Sequence, residues 1–266
     1  MKIIAFIKKD LIDTISYRFQ IFLRFGNVII SLFVFYFLGK TFSGVMSPYL
    51  ENYGGDYFAY VLIGLSVSSF VSVGLETLAS EIRAAQVEGT LEALLSTPTS
   101  IYTVLLGNSI WSFLEAFGGT VFLLTIGVIF LGLHISAIQI LAALLVLVLT
   151  LAAFLAVGML SASFIMIFKQ GNPIGMIFGT SSYFLGGIIF PVEVLPKPFQ
   201  YMADFLPITY AVKALRELLL AQMQFGAITP LLFKLILFIA LLSPISIFFF
   251  RYAVNRSKIN GSLIQY

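Results

Sequence analysis

Long apolar runs alternate with short polar intervals along the whole chain, and inside the second to fifth runs small and polar residues recur at helical spacing. At about 20 residues per crossing, the runs predict six transmembrane helices. They lie at approximately 21–39, 57–80, a third starting in the first turns of 101–133, a fourth within 135–168, then 174–190 and 231–250. Residues 1–20 set Ile4, Ile7, Leu11 and Ile15 on one face and Lys2, Lys8, Lys9 and Asp13 elsewhere. That pattern reads as a helix lying in the inner interface, or as a basic orienting tail. Asp10 and Asp13 interrupt any leader there, so the first run is expected to be retained. The expected fold class is an all-α polytopic membrane protein with six transmembrane helices and both termini cytoplasmic. Its parts are an N-terminal interfacial helix over 1–20, a six-span domain over 21–250 and a cytoplasmic tail over 251–266.

The interval 81–100 is too polar to cross lipid. Glu81, Arg83, Glu88 and Glu92 would each cost roughly 2.5–3.5 kcal/mol or more at a bilayer centre, so this stretch is expected in water. It reads as two short helical pieces broken at Gly89. Leu91, Leu94 and Leu95 share one face, with Glu88 and Glu92 outside that stripe. Thr97-Pro98 ends it, because a proline drives the residue before it out of the α region.

Polar and small residues within the runs mark faces. Ser69, Ser72, Glu76 and Ser80 form one stripe of the second span, either packing against a neighbour or lining a pathway. Asn108, Trp111 and Glu115 share a face of the third, where Glu115 is either a functional acid or a structural hydrogen-bonding group. Ala152, Ala153, Ala156, Gly158, Ser161 and Ala162 suit the fourth span to close packing, and 169–173 forms an inner turn. Gly171, Gly175 and Gly179 predict a flat ridge at the start of the fifth span, and Gly186 and Gly187 weaken its outer end. Pro191, Pro196 and Pro198 then force a turn at the outer surface. Beyond them, Val212, Leu215, Leu219 and Met223 make an apolar face, with Lys213, Arg216 and Glu217 off it, which predicts a helix resting at the outer interface.

Composition bounds the chemistry. The chain is 60% hydrophobic and only 10% charged, with a mean hydropathy of +1.05, outside the range of an ordinary soluble domain. It has no cysteine, which excludes disulfides and thiol catalysis, and His134, alone of its kind, cannot build a histidine metal site. Its net charge of +3, with basic residues gathered at the termini, argues against nucleic acid as a partner. Placing both ends inside leaves ten Lys and Arg on the inner side and five outside, namely Lys40, Lys197, Lys213, Arg216 and Lys234, as the positive-inside rule requires. Gly39-Lys40-Thr41 mimics the end of a phosphate-binding loop, but Val34 stands where its first glycine belongs. With no complete phosphate loop or catalytic triad, the chain is expected not to be an enzyme and to hold no cofactor or metal itself.

Two motifs carry a family resemblance. Glu88-Gly89-Thr90-Leu91-Glu92, then Leu94-Leu95 and Thr97-Pro98, resembles the cytoplasmic loop after the second span of type-2 ABC transporter permeases, the integral-membrane subunits of ABC exporters. Gly186-Gly187-Ile188-Ile189-Phe190-Pro191, followed by Leu195-Pro196 and by Leu206-Pro207-Ile208-Thr209-Tyr210, resembles that family's segment before the last span.

The resemblance implies a plasma-membrane permease subunit of an ATP-driven exporter, homodimeric, working with a separate cytoplasmic ATPase that carries ATP and Mg. It makes 81–100 a coupling loop, with Glu81, Arg83, Glu88, Gly89, Thr90, Leu91, Glu92, Leu95, Thr97 and Pro98 as candidate ATPase-coupling residues. The competing reading lets its leucines anchor the loop to the inner leaflet. Ser69, Ser72, Glu76, Glu115, Gly175, Gly179 and Tyr183 are candidates for the translocation route or subunit interface. Gly186, Gly187, Phe190, Pro191, Leu195, Pro196, Pro207 and Tyr210 belong with an outer segment over 191–226 that has short helices and caps the exit. Two alternatives are an ion-coupled secondary transporter using Glu76 and Glu115, and a non-transport membrane scaffold. Neither explains the two motifs. The shortage of intramembrane charge favours a hydrophobic or amphiphilic substrate.

Overall fold

The structure is a computed structural model and describes residues 11, 12, 14, 16, 18–97, 100–131 and 135–259. Among these the chain is all helical, without strands. The helices are α1 (Arg18–Leu50), α2 (Tyr57–Val87), α3 (Leu91–Ser96), α4 (Ile101–Leu131), α5 (Ala137–Phe168), α6 (Pro173–Leu185), α7 (Lys197–Ala203), α8 (Pro207–Leu219) and α9 (Phe225–Ile259). Single 3-10 turns occupy Glu51–Tyr53 and Val192–Val194. Most of the interfacial helix expected over 1–20 lies outside the described residues, as do Pro98, His134 and residues 260–266 of the tail.

Four helices are long and apolar enough to cross a membrane, namely α2, α4, α5 and α9, and a shorter apolar helix, Ile29–Thr41, lies within α1. Helix α2 is the inner one: 67% of its apolar window is buried, against 17% for α4 and 22% for α9. It packs on α5, α4, α1, α8 and α6, while α5 packs on α9. Side chains set the starts of these helices. Asp56 accepts the Phe58 N–H at 2.8 Å to begin α2, and Ser136 with Gln139 forms a capping box on α5. Asn172 accepts the Gly175 N–H at 2.9 Å to cap α6, whose first residue is Pro173.

The tightest helix contact joins α2 to α5 at Gly74 and Gly158. A methyl group on Gly158 would overlap the Gly74 carbonyl oxygen, and one on Gly74 would meet the Phe154 Cβ at 2.6 Å. The small residues of the fourth run are therefore used as expected, to let two backbones approach. The glycines expected to form a ridge are placed otherwise. Gly171 sits in the turn before α6 at φ 57, Gly175 faces its own capping Asn172, and of the three only Gly179 meets another helix, at Leu75.

Three further boundaries correct the sequence reading. Helix α2 continues past Ser80 to Val87, so Glu81 and Arg83 lie on its last turns. The fifth apolar run is helical only to Leu185, 13 residues, because Gly186 ends the helix and Gly187 takes φ 77. Helix α8 turns its apolar face into the protein together with Arg216, which is only 3% exposed, and Met223 lies beyond the helix end.

The glycine contact gives a direct test. Gly158→Ala is expected to cost about 1–3 kcal/mol and to lower the thermal midpoint of the detergent-solubilised protein. Gly118→Ala, where an added Cβ meets nothing within 4 Å, should leave the midpoint unchanged or raise it.

Candidate functional site

At one end of the bundle, α2 turns sharply into α3. The Thr90 N–H reaches the Ala85 carbonyl at 3.0 Å and the Gly89 N–H reaches Gln86 at 3.2 Å, the paired bonds of a Schellman motif. Gly89 occupies its left-handed position at φ 70, where a side chain would be strained. Thr97 ends α3 in the extended conformation that a following proline imposes.

The leucine face of α3 turns inward. Leu91 is 1% exposed among Ile82, Leu105, Met166 and Phe250, with Leu94 and Leu95 partly buried against the same cluster. Glu88, Gly89, Thr90 and Glu92 are exposed. The leucines thus fasten the elbow to the protein, and its outward surface is made of the acidic residues and the Gly-Thr turn.

Two side chains tie this elbow to the end of α5, and a third ties α9 to it, all at carbonyls of the helix's C-terminal turn, where the Ile165 carbonyl also accepts the Lys169 N–H at 2.8 Å. Arg83 Nη1 donates to the Lys169 carbonyl at 2.6 Å, Gln86 Nε2 to Ile165 at 3.4 Å, and Ser257 Oγ of α9 to Met166 at 3.5 Å. Asn108 of α4 donates to Glu81 Oε2 at 2.7 Å, so four helices are joined within a few turns.

The candidate route residues converge on α2. Ser69, Ser72, Glu76 and Glu115 line an open groove of about 460 Å³ between α2 and α4. Ser72, Glu76, Gly175, Gly179 and Tyr183 line a second, of about 560 Å³, between α2 and α6. Ser72 and Glu76 are exposed and belong to both. Ser69 is used in packing: its hydroxyl lies 3.1 Å from that of Thr120, which itself donates to the Ser66 carbonyl at 2.7 Å. Glu115 Oε1 accepts from Trp111 Nε1 at 3.0 Å on its own helix.

The segment joining α6 to α8 is held by Arg216, which the sequence reading sets off the apolar face. Arg216 Nε and Nη2 donate to the Tyr60 carbonyl at 3.1 and 2.9 Å, Nη1 to Gly187 at 2.6 Å, and Nη2 also to Ile188 at 3.0 Å. Its guanidinium lies 3.2 Å from the centre of the Tyr60 ring, a cation–π contact. Burial pulls its pKa down to about 10, which leaves it charged at neutral pH. The signal for this was present, since Arg216 is four residues after Val212 and so shares its helical face. Gly64 completes the arrangement, because a Cβ there would collide with the backbone of Ile188. Around it, Pro191 is buried, the Leu195 carbonyl accepts from Gln200 at 2.7 Å, Pro207 opens α8, and the Tyr210 hydroxyl donates to the Asp204 carbonyl at 2.8 Å. Pro196 precedes α7, and Phe190 is half-buried.

Known proteins place the arrangement. A family model described as ABC-2 type transporter matches residues 1–220, taking in the elbow, both grooves and Arg216. The chain belongs to this family. It is a multi-pass membrane protein, in bacteria one of the inner, or plasma, membrane. Among relatives of this ABC-2 permease is nodulation protein J of Rhizobium meliloti (strain 1021), 27% identical over 172 residues, which are 64% of each chain. The inner membrane transport permease YadH of Escherichia coli (strain K12) is 23% identical over 166 residues, 62% of this chain and 64% of YadH. The match therefore spans just under two thirds of those relatives.

Arg216→Leu in this ABC-2 permease removes every donor to the Ile188 carbonyl and leaves Gly187 only the 3.3 Å bond from the Tyr60 hydroxyl. The expected loss is on the order of 2–4 kcal/mol, read as a lower thermal midpoint and faster proteolysis within 186–206. Arg216→Lys should not restore either, because one ammonium cannot span three carbonyls.

Proposed function

We propose that the chain is the membrane-spanning subunit of an ATP-driven exporter, acting as a homodimer with a separate cytoplasmic ATPase that holds the ATP and Mg. In this reading α1 and α6 complete six crossings with α2, α4, α5 and α9, and both termini lie in the cytoplasm. The elbow is then cytoplasmic and the α6–α9 connection lies outside.

The observation that carries the reading is the exposed polar face of α2. A carboxylate and a hydroxyl turned to lipid are costly, so Glu76 and Ser72 call for a second copy or a water-filled route over them. Gly175, Gly179 and Tyr183 border the same face, and Glu115 borders its other side. Ser69 takes a supporting part, packing α2 on α4.

Coupling follows from continuity. Helix α2 runs unbroken from Ser72 to the elbow, about 24 Å at 1.5 Å per residue, so a force on the elbow acts directly on the groove. Glu88, Gly89, Thr90 and Glu92 form the docking surface. Leu91 and Leu95 with Glu81, Arg83 and Thr97 hold it in place. The two exposed acids fit a recess on the ATPase lined by basic or N–H donating groups.

Two experiments test the two halves. Glu88→Arg with Glu92→Arg should reduce ATPase co-purification about tenfold while the permease still inserts and melts normally; undiminished co-purification would sink the docking surface. Leu91→Asp should instead lower the permease's own stability. In this cysteine-free chain, Ser72→Cys and Tyr183→Cys are expected to crosslink between copies, with a yield that changes when ATP is supplied. If both react only with lipid-dissolved reagents and the protein stays monomeric, the route lies elsewhere.

A further inference from the structure

The turn between α1 and α2, the segment joining α6 to α8 and the start of α9 meet at one end of the bundle. A cavity of about 150 Å³ opens there beside Arg216. It has room for a few water molecules, enough for a small polar group. Arg216, Lys213 and Lys234 line it together with Glu193 and Asp204, three cations against two carboxylates. Among the described residues none of these groups is in direct ion-pair contact, although Glu193 acts on Arg216, and Glu217 on Lys213, through space.

The buried guanidinium is not used up. An arginine has five N–H donors. The bonds to Tyr60, Gly187 and Ile188 engage Nε, both hydrogens of Nη2 and one of Nη1, so a second Nη1 hydrogen remains without an acceptor in a side chain only 3% exposed. Lys234 Nζ lies 4.6 Å from the centre of the Tyr210 ring and donates to no carboxylate. Lys213 and Lys234 are exposed at the rim, as are Glu193 and Asp204. Tyr53, Tyr60 and Tyr210 also line the cavity, and tyrosine is enriched at the depth of lipid head groups.

We propose that this cavity binds the head group of a zwitterionic phospholipid of the phosphoethanolamine class. The phosphodiester sits between the spare Arg216 N–H and the two lysines, where charge-assisted bonds hold it. The ammonium faces Glu193 and Asp204. A head group without an ammonium satisfies the cations but leaves both acids beside a negative charge, which is why the site selects a zwitterion. The proposal requires neither the exporter nor the dimer, only that this end of the bundle lie at a membrane surface.

The test is native mass spectrometry of the full-length protein in detergent, with phosphatidylethanolamine, phosphatidylglycerol and millimolar inorganic phosphate as probes. Phosphatidylethanolamine adducts should outlast those of phosphatidylglycerol, and inorganic phosphate should not displace them. Lys213→Ala with Lys234→Ala should lower phosphatidylethanolamine retention about tenfold, and Lys213→Arg with Lys234→Arg should keep it. Glu193→Gln with Asp204→Asn should bring the two lipids to equal retention. Equal retention by the unaltered protein overturns the selectivity. Full retention in the double alanine variant removes the site, and displacement by inorganic phosphate makes it a soluble-anion site instead.

Discussion

A backbone that leaves its helix inside a membrane protein must still find partners for its carbonyls, because lipid offers none. Between Leu185 and Pro191 the chain does leave its helix, and Arg216 answers for it. One guanidinium binds the first turns of α2, the broken end of α6 and the body of α8 together, and its charge is met by carbonyl dipoles and a tyrosine ring without a carboxylate. Arginine is the residue type suited to this, since its planar fork reaches several acceptors at once. The cost of burying the cation is offset only while all three carbonyls are in place, so the three segments hold their relative positions as a set.

The opposite end is fixed by the same kind of accounting with smaller groups. The carbonyls at the end of α5 accept from Arg83, Gln86 and Ser257, and the leucines of α3 close over the junction. Midway, Gly74 against Gly158 locks α2 to α5 at backbone contact. Helix α2 is thereby held at one end by α8 and at its centre and other end by α5.

Much of this was legible in the sequence because it follows from period and breakers. The apolar runs located the long helices, Gly89 the elbow and the small residues near Gly158 the close contact, while Gly186 and Gly187 read only as a weak point in a run that in fact ends there. What was not legible depends on partners distant in the chain. An arginine beside an apolar stripe reads equally as a surface charge or a buried clamp until the free carbonyls of residues 187 and 188 are known to lie opposite. Glycines at four-residue spacing carry the same ambiguity, and here Gly171 and Gly175 serve a turn and a cap. The inward turn of Leu91 was equally hidden, because an amphipathic six-residue helix has the same pattern whether its apolar face meets lipid, a partner or its own core.

The polar stripe of α2 shows how far a period can be taken. Ser69, Ser72 and Glu76 fall within one helical face by spacing, yet they divide in space: Ser69 is hydrogen-bonded to α4, while Ser72 and Glu76 stay open between two grooves. The division matters because α4 packs mainly on α2 and buries little of its own surface. Displacing α4 therefore breaks few apolar contacts beyond that seam, whereas displacing α5 would open the Gly74–Gly158 contact and the carbonyl junction at its end. In the proposed exporter, the element free to change its distance from Glu76 is then α4. The Asn108–Glu81 bond ties that movement to the last turns of α2, next to the elbow that an ATPase would reach.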